Sequence, residues 1–193
     1  MPVLPEHVVC FSLSDAELHH AITYAYHVLT HHRSNRVDPL HQYIQVLVDE
    51  LAERMVMQWL REHGKFAEPV SDKGATNPEL SHEIWVTDIR GMKVRAAIHT
   101  FLSTHKAEMA EMLNAHSLSI ETSQMCGINF SVVYWLQLHE KPRIKMPSLQ
   151  NSAIVGWASD KNFRESLKSP TSKYAALKFA DLRPVEELLQ FLV

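Results

Sequence analysis

The stretch that decides the fold is HEIWVTDIRGMKVRAAIHTF, residues His82–Phe101. Its two halves have the residue pattern of strands, and the Arg-Gly pair between them is typical of a turn. The stretch therefore predicts a β-hairpin. Side chains alternate between the two faces of a strand. One face of the second strand should therefore carry Lys93, Arg95, Ala97 and His99, and the other face Val94, Ala96 and Ile98.

The residues before the hairpin predict helices. Ser14, followed three residues later by Glu17, forms a capping-box pattern at the start of DAELHHAITYAYHVLTHH. A second helix should run from about Leu40 to His63 and stop at Gly64. Apolar residues recur at helical spacing in the first helix and should form its buried stripe. They are Leu18, Ile22, Ala25 and Leu29.

The second helix is apolar on more than one side. One stripe is formed by Leu40, Ile44, Leu47, Leu51 and Met55, and further apolar residues are Val46, Val56, Met57 and Leu60. A helix of this kind is central in a fold. We therefore expect the first helix on one flank of it and a sheet on the other. Glu50 and Arg54 are spaced i, i+4, and we interpret them as an ordinary surface ion pair.

After about Ser81 the apolar pattern changes to one typical of strands. Beyond the hairpin, FSVVYWLQLHE and KYAALKFA predict strands, and NSAIVGWAS predicts a short one that ends at Gly156. THKAEMAEMLNAH and a segment at about Asp160–Leu167 predict helices. Pro184 should open a closing helix, PVEELLQFLV, as its first residue.

This order of elements predicts an α/β (α+β) fold. A central mixed sheet should form between about His82 and Ala180, with helices packed against it. A chain of this length can bury one core, so residues 1–193 should form a single domain. We divide it into an N-terminal helical extension, 1–38, and an α/β core, 39–193.

Composition excludes some classes of protein. The 193 residues are 46% hydrophobic, and 19 Lys and Arg stand against 22 Asp and Glu, a net charge of −3. This balance counts against a dedicated nucleic-acid binder, although it leaves a local basic face open. Cys10 and Cys126 form no CxxC, which suits a reducing cytoplasm. We expect no signal peptide and no transmembrane helix, because no long apolar run is present.

The chain contains 13 histidines, and two of them have metal-ligand spacing. His27 and His31 form an HxxxH pair, which can bind zinc from one helix face. They lie with His20 and Tyr24 roughly opposite the apolar stripe of the first helix. No acidic third ligand is apparent nearby, so we interpret these residues as a solvated polar face.

Several segments together resemble the PD-(D/E)XK superfamily of restriction-endonuclease-like proteins. They are DELAERMVMQWLREHGK, HEIWVTDIRGMKV, SVVYWLQLHE, SAIVGWASDKNF and YAALKFADLRPVEELLQFL, and the resemblance covers roughly Asp49–Val193. It implies a restriction-endonuclease-like sheet in which a helix with a Glu precedes a hairpin carrying an acidic residue and a (D/E)xK pattern. The chemistry it implies is Mg²⁺-dependent hydrolysis of DNA phosphodiesters.

The resemblance can be carried over to individual carboxylates. Glu50, with Glu53 as a substitute, is in the place of the helix carboxylate, and Glu83 is in that of the first hairpin strand. Asp88 lies late on that strand and could replace Glu83 if the register differs. The implied metal ligands are therefore Glu50, Glu83 and Asp88.

The second hairpin strand departs from the pattern. The expected acidic residue and Lys align with Arg95 and Ala97, or with Ala97 and His99, and the hairpin contains no (D/E)xK. A cation at a carboxylate position would repel Mg²⁺. In an active protein, Lys93 or His99 would have to replace the missing Lys, which makes Glu50, Glu83, Lys93 and His99 the implied catalytic set.

Two functions follow as expectations. The first, which we favour, is a catalytically degenerate nuclease-like module for binding or assembly, since a fold alone does not establish activity. The alternative is a divergent Mg²⁺-dependent DNA endonuclease. DNA remains open as a partner and a homodimer as an assembly. Arg95 should pair internally with Glu50 or Glu83 as a buried bridge, and the competing expectation is that it binds an external phosphate.

Overall fold

The computed structural model describes residues 2–31, 38–70, 82–103, 108–125, 127–135, 152–167, 169 and 171–193. The α-helices are α1 (Asp15–His31), α2 (Pro39–Glu62), α3 (Met109–Ala115) and α4 (Asp160–Glu165). The strands are β1 (Val9–Phe11), β2 (Ala67–Pro69), β3 (His82–Thr87), β4 (Lys93–Ser103), β5 (Ser117–Glu121), β6 (Ile128–Trp135), β7 (Ser152–Ser159) and β8 (Tyr174–Lys178). Short 3-10 helices span Pro5–His7, Thr122–Gln124, Phe179–Asp181 and Val185–Phe191.

The central sheet has six strands in the order β1-β7-β6-β4-β3-β2. β4 and β6 are parallel, and every other neighbouring pair is antiparallel. The mixed sheet with flanking helices confirms the expected fold class. One detail was wrong: β8, expected in this sheet, pairs with β5 in a separate two-stranded sheet.

The β3–β4 hairpin forms as predicted. Its register runs from Thr87 opposite Lys93 to His82 opposite Ile98. The turn between the strands contains Gly91, whose φ of 76° lies in the left-handed region that favours glycine. Antiparallel pairing in this register places His82 and Ile98 on the same face of the sheet. The hairpin therefore determines which face each candidate residue occupies.

Helix α2 packs against one face of the sheet and is the central helix that the sequence predicts. It begins after Asp38, whose carboxylate accepts a hydrogen bond from the amide of His41 at 3.0 Å, and Pro39 is its first residue. Its apolar residues share one core with α1 and with the sheet face beneath it. The core residues of that sheet face include Ile84, Val86, Ala96, Ile98, Ile128, Phe130, Val132 and Ile154.

The opposite face of the sheet has a smaller apolar core. Its buried residues come mainly from α3, α4, β5–β8 and the 3-10 helix that follows β8, and include Met112, Val133, Val155, Phe163 and Phe179. The sheet is thus covered by helices on both faces. None of the helices in the described residues is both long enough and apolar enough to cross a membrane.

The first 38 residues contain more than the helix expected of them. Ser14 and Glu17 form the predicted capping box: the Ser14 amide donates to the Glu17 carboxylate at 3.3 Å, and the Glu17 amide donates to the Ser14 hydroxyl at 3.4 Å. The preceding strand β1, however, pairs with β7 at the edge of the main sheet. The N-terminal segment therefore contributes to the core sheet and is not a purely helical extension.

The C-terminal segment differs from the expectation in two ways. The closing helix is a 3-10 helix, Val185–Phe191, and β7 continues through Gly156 to Ser159. Just before that helix, Arg183 pairs with Trp157 of β7 through two backbone hydrogen bonds, at 3.0 and 2.8 Å. A Cβ at Gly156 would lie 2.7 Å from the Arg183 carbonyl oxygen, so only glycine allows this crossing.

Candidate functional site

Three acidic residues of α2 lie at the face of the helix that meets the start of β3. Glu50 and Glu53 are buried, with 4% and 2% of their surface exposed, and Asp49 is half-buried. Buried carboxylates are costly unless they have polar or charged partners. Each of the three has such partners, and these come from α2, β3 and β4.

His82 connects β3 to this acidic group. Its Nδ1 lies 3.1 Å from Oε2 of Glu53, and its Nε2 lies 4.0 Å from Oδ2 of Asp49. His82 shares the sheet face of Ile84 and Val86, which pack against α2. The first residue of β3 therefore inserts an imidazole between two carboxylates of the helix.

Asp49 is held by neutral donors. The Gln45 side-chain amide donates to both of its carboxylate oxygens, at 3.0 and 2.9 Å, and the Thr100 hydroxyl of β4 donates to one of them. Hydrogen bonds of this kind stabilise a carboxylate without neutralising its charge. Asp49 thus connects α2 to the middle of β4.

Glu50 is paired with Arg54, but not at the surface. The Arg54 guanidinium reaches Oε1 of Glu50 through Nη2 at 2.8 Å, and its Nη2 also lies 2.7 Å from Nδ1 of His20 in α1. The expected surface ion pair is therefore wrong, since Glu50 is buried and Arg54 bridges two helices. His20 likewise contacts α2, although it belongs to the face of α1 expected to be solvated.

One group of potential metal ligands emerges from these contacts. Glu50, Glu53 and His82 each offer one ligand atom, and the three atoms lie within 4.8 Å of one another. Two carboxylates with one imidazole fit Mg²⁺ poorly, because Mg²⁺ favours oxygen ligands, and such a mixed set suits Mn²⁺ or Zn²⁺ better. The group contains Glu50 and its substitute Glu53, but His82 was not among the expected ligands.

Glu83 lies on the opposite face of the sheet from this group. Alternation along β3 directs it away from α2, and its carboxylate lies 2.8 Å from Nη2 of Arg95 in β4. The guanidinium also lies 5.6 Å from the centre of the Trp85 ring. The expected pairing of Arg95 with Glu83 is present. It is not a buried bridge, however, because the Arg95 side chain is 52% exposed.

His99 shares the face of Glu83 rather than that of Glu50. Its Nε2 lies 3.2 Å from the side-chain oxygen of Asn129 on β6. Burial lowers the pKa of His99 below its usual value, although the hydrogen bond to Asn129 and the charges of Asp49 and Glu83 oppose this shift. The imidazole is therefore neutral near pH 7, which suits a structural contact and not the role of the missing lysine.

Lys93 and Asp88 lie at the turn end of the hairpin. Asp88 lies six residues after His82, and Lys93 lies six residues before His99. At the usual rise per residue of a strand, each separation is roughly 20 Å. The Asp88 carboxylate accepts hydrogen bonds from the amides of Arg90 and Met92, both at 2.9 Å, and Lys93 pairs with Glu68. These two candidates therefore do not join Glu50 and Glu83.

The HxxxH pair on α1 gains no additional ligand in the described part of the chain. The rings of His27 and His31 stack at a centroid distance of 4.1 Å, and both residues are exposed. Among the described residues, the grouping of at least three potential metal ligands is confined to Glu50, Glu53 and His82. Cys10 is a free, exposed thiol, and Cys126 lies outside the described residues.

Sequence reasoning thus found the acidic helix but missed most of its partners. The position of His82 in the strand could have identified it. Side chains alternate along a strand, so His82 lies on the same face as the apolar Ile84 and Val86. No local pattern in the sequence indicates that Gln45 and Thr100 are hydrogen-bond partners of Asp49.

Comparison of the chain with protein-family models, with curated proteins and with solved structures finds no match to any of them.

Proposed function

We propose that this protein is a catalytically inactive, nuclease-like module that serves in binding or assembly. The observation that carries the proposal is that Glu50 and Glu83 face opposite sides of the sheet. The resemblance requires these two carboxylates to share one Mg²⁺, and a sheet between them prevents this. The two cysteines, without a CxxC pattern, make the cytoplasm the compartment we propose.

The charge around each carboxylate supports the same proposal. Arg95 lies 2.8 Å from Glu83, and Arg54 lies 2.8 Å from Glu50. A guanidinium at this distance neutralises the charge that would attract a divalent cation. Internal cations therefore occupy the positions where the resemblance implies a metal.

A DNA cleavage assay tests this proposal. Purified protein is incubated with supercoiled plasmid and Mg²⁺ or Mn²⁺, and we expect no cleavage above that of the Glu83→Ala variant. Metal-dependent cleavage by the wild type that is lost in Glu83→Ala would contradict the proposal. Cleavage that survives Glu83→Ala but is lost in Glu53→Gln would also contradict it, and would support the second candidate.

The second candidate is a divergent metal-dependent DNA endonuclease with its site at Glu50, Glu53 and His82. The observation in its favour is that their three ligand atoms lie within 4.8 Å of one another. A bound divalent cation would polarise a phosphoryl oxygen and lower the pKa of a coordinated water. These three side chains would hold the ion, and Asp49 would keep His82 in place from its other ring nitrogen.

Direct Mn²⁺ binding separates the two candidates. Isothermal titration calorimetry of the wild type with MnCl₂ should show no binding in the micromolar range if Arg54 neutralises the charge of Glu50. The second candidate instead requires micromolar binding that is lost in Glu53→Gln. The matched control is Glu68→Gln, which changes a half-exposed carboxylate at the other end of the sheet and should leave Mn²⁺ binding unchanged.

A further inference from the structure

The two histidines of the HxxxH pair, His27 and His31, have no role in the proposed function. They lie four residues apart on α1, so both side chains project from the same side of the helix. Both are exposed, and their rings stack with a centroid distance of 4.1 Å and an angle of 26° between the ring planes. Two imidazole rings are therefore held side by side where solvent and ions can reach them.

The hydrogen bonds of His31 determine which of its ring nitrogens can bind a metal. Its Nδ1 lies 2.9 Å from the carbonyl oxygen of His27, one helical turn earlier. A carbonyl oxygen can only accept, so Nδ1 carries the hydrogen, and the lone pair of the neutral ring is on Nε2. The Thr30 hydroxyl lies 2.9 Å from the same Nδ1 and donates its own hydrogen to a backbone carbonyl of α1, so it accepts as well. Nε2 of His31 is therefore the nitrogen that can bind a metal ion.

The same hydrogen bond is typical of histidines that bind metals. A ligating imidazole almost always donates its other ring N–H to a carbonyl, a carboxylate or water, which fixes the orientation of the ring and raises the basicity of the ligating nitrogen. His31 has such a partner in the His27 carbonyl. Among the described residues, Nε2 of His31 and the ring nitrogens of His27 have no hydrogen-bond partner of their own. These nitrogens therefore lose no protein contact when they bind an ion.

The separation of the two rings suits a single metal ion. Imidazole nitrogens bind Zn²⁺ at about 2.0–2.1 Å, so two nitrogens on one ion are at most about 4.2 Å apart. Nearly parallel rings with centres 4.1 Å apart place equivalent nitrogen atoms at a similar separation. The His27 ring needs only rotation about its side-chain bonds to direct a nitrogen toward the ion, and its exposed position allows this rotation.

The position of the HxxxH pair at the end of α1 also favours a cation. His31 is the last residue of the helix, where carbonyl groups without helical partners form the negative end of the helix dipole. His20 lies on the same side of α1, two turns earlier, but its Nδ1 is 2.7 Å from the Arg54 guanidinium. A guanidinium so close repels a cation. A metal ion therefore meets less repulsion at the HxxxH pair than at His20.

We propose, independently of the proposed function, that His27 and His31 together bind one divalent transition-metal ion of the Ni²⁺, Cu²⁺ and Zn²⁺ class. The two imidazoles supply two ligands, and water completes the coordination shell at this exposed position. Imidazole suits these ions, whereas Mg²⁺ and Mn²⁺ favour oxygen ligands. The affinity should follow the order Mn²⁺ < Ni²⁺ < Cu²⁺ > Zn²⁺. The site differs in its ligands from the acidic group on α2, since it contains no carboxylate.

Titration calorimetry with NiCl₂ tests the proposal, and variants are compared because the chain contains 13 histidines. His27→Gln and His31→Gln should each raise the dissociation constant of the tightest Ni²⁺ at least about tenfold, because the second imidazole then no longer binds as an intramolecular ligand. The matched control is His19→Gln, which changes an exposed histidine of the same helix whose i+4 neighbour is Thr23, and it should leave binding unchanged. Binding should weaken as the pH is lowered, since a protonated imidazole has no lone pair to offer.

Spectroscopy locates the bound ion. Electron paramagnetic resonance of the protein with one equivalent of Cu²⁺ should show coupling to two imidazole nitrogens, and to fewer in His27→Gln. Zn²⁺ added to ¹⁵N-labelled protein should shift the ring resonances of His27 and His31 more than those of the other histidines. Circular dichroism melts verify that each variant is folded. Glu53→Gln should leave Ni²⁺ binding unchanged, which separates failure of this proposal from failure of the proposed function.

Four results would overturn the proposal. Equal Ni²⁺ affinity of the wild type, His27→Gln and His31→Gln would show that the pair is only solvated. Loss of binding in Glu53→Gln instead of His27→Gln would assign the ion to the acidic group on α2. The other two are binding of Mn²⁺ as tight as that of Ni²⁺, and Zn²⁺-induced shifts that centre on other histidines.

Discussion

The ion pair between Glu50 and Arg54 gives the sharpest test of how the acidic group is stabilised. In Arg54→Ala, the carboxylate of Glu50, which is only 4% exposed, loses the guanidinium 2.8 Å away. Removing one partner of a buried pair costs about 3–5 kcal/mol. The Arg54 side chain is 21% exposed, so solvent screens part of this interaction. We therefore expect the free energy of unfolding to fall by about 2 kcal/mol.

Urea denaturation followed by circular dichroism measures this change. For a chain of this size, 2 kcal/mol corresponds to a melting temperature lower by roughly 4–8 °C. The matched control is Lys161→Ala, which breaks the exposed i, i+4 pair with Glu165 and should change stability by less than about 0.5 kcal/mol. The double variant Glu50→Gln, Arg54→Ala should be less destabilised than the sum of the two single variants.

Equal losses of stability on breaking the buried and the exposed ion pair would refute this reasoning. If Arg54→Ala destabilises no more than Lys161→Ala, the burial of Glu50 gives the pair no additional energetic weight. Strict additivity in the double variant would show that Glu50 and Arg54 do not interact, despite the 2.8 Å between them.

Three further predictions concern the sheet. Arg95→Ala should lower the free energy of unfolding by less than about 1 kcal/mol in urea denaturation, because water screens the half-exposed pair of Arg95 and Glu83. A loss near 3 kcal/mol would instead support the buried bridge that the sequence predicted. Burial lowers the pKa of His99, so the unfolded chain binds its proton more readily. Stability should therefore decrease as pH falls below the unfolded pKa of about 6.5, and His99→Gln should flatten the pH dependence of the melting temperature between about pH 7 and 5. Gly156→Ala should lower the unfolding free energy by about 1–3 kcal/mol, because its Cβ would lie 2.7 Å from the Arg183 carbonyl oxygen, and a melting temperature equal to that of the wild type would contradict this crossing.

The elements that the sequence predicted well are those with a long local signal. The predicted second helix, about Leu40–His63, is Pro39–Glu62 in the structure, and the hairpin turn lies at the expected Arg90-Gly91 pair. Helical periodicity and alternation are properties of consecutive residues, so they can be read without knowing the fold. The short strands β1, β2 and β5 were missed, because three to five residues carry too little periodicity.

The candidate site was predicted only in part. Glu50 and Glu53 were found because the resemblance requires a carboxylate on the helix that precedes the hairpin. Glu83 was preferred to its neighbour His82 because the resemblance requires a carboxylate. The structure places the imidazole toward α2, since a shift of one residue along a strand exchanges the two faces of the sheet.

The sequence by itself determined the first two helices, the hairpin and the positions of the charged residues along them. Only the tertiary structure decided that Arg54 bridges Glu50 and His20, that Gln45 and Thr100 hold Asp49, and that β8 leaves the main sheet for β5. The physical reason is the sequence separation over which each kind of information acts. Periodicity is local to a helix or strand, whereas the partner of a buried charge depends on how distant segments pack together, and any of several segments could satisfy the same carboxylate.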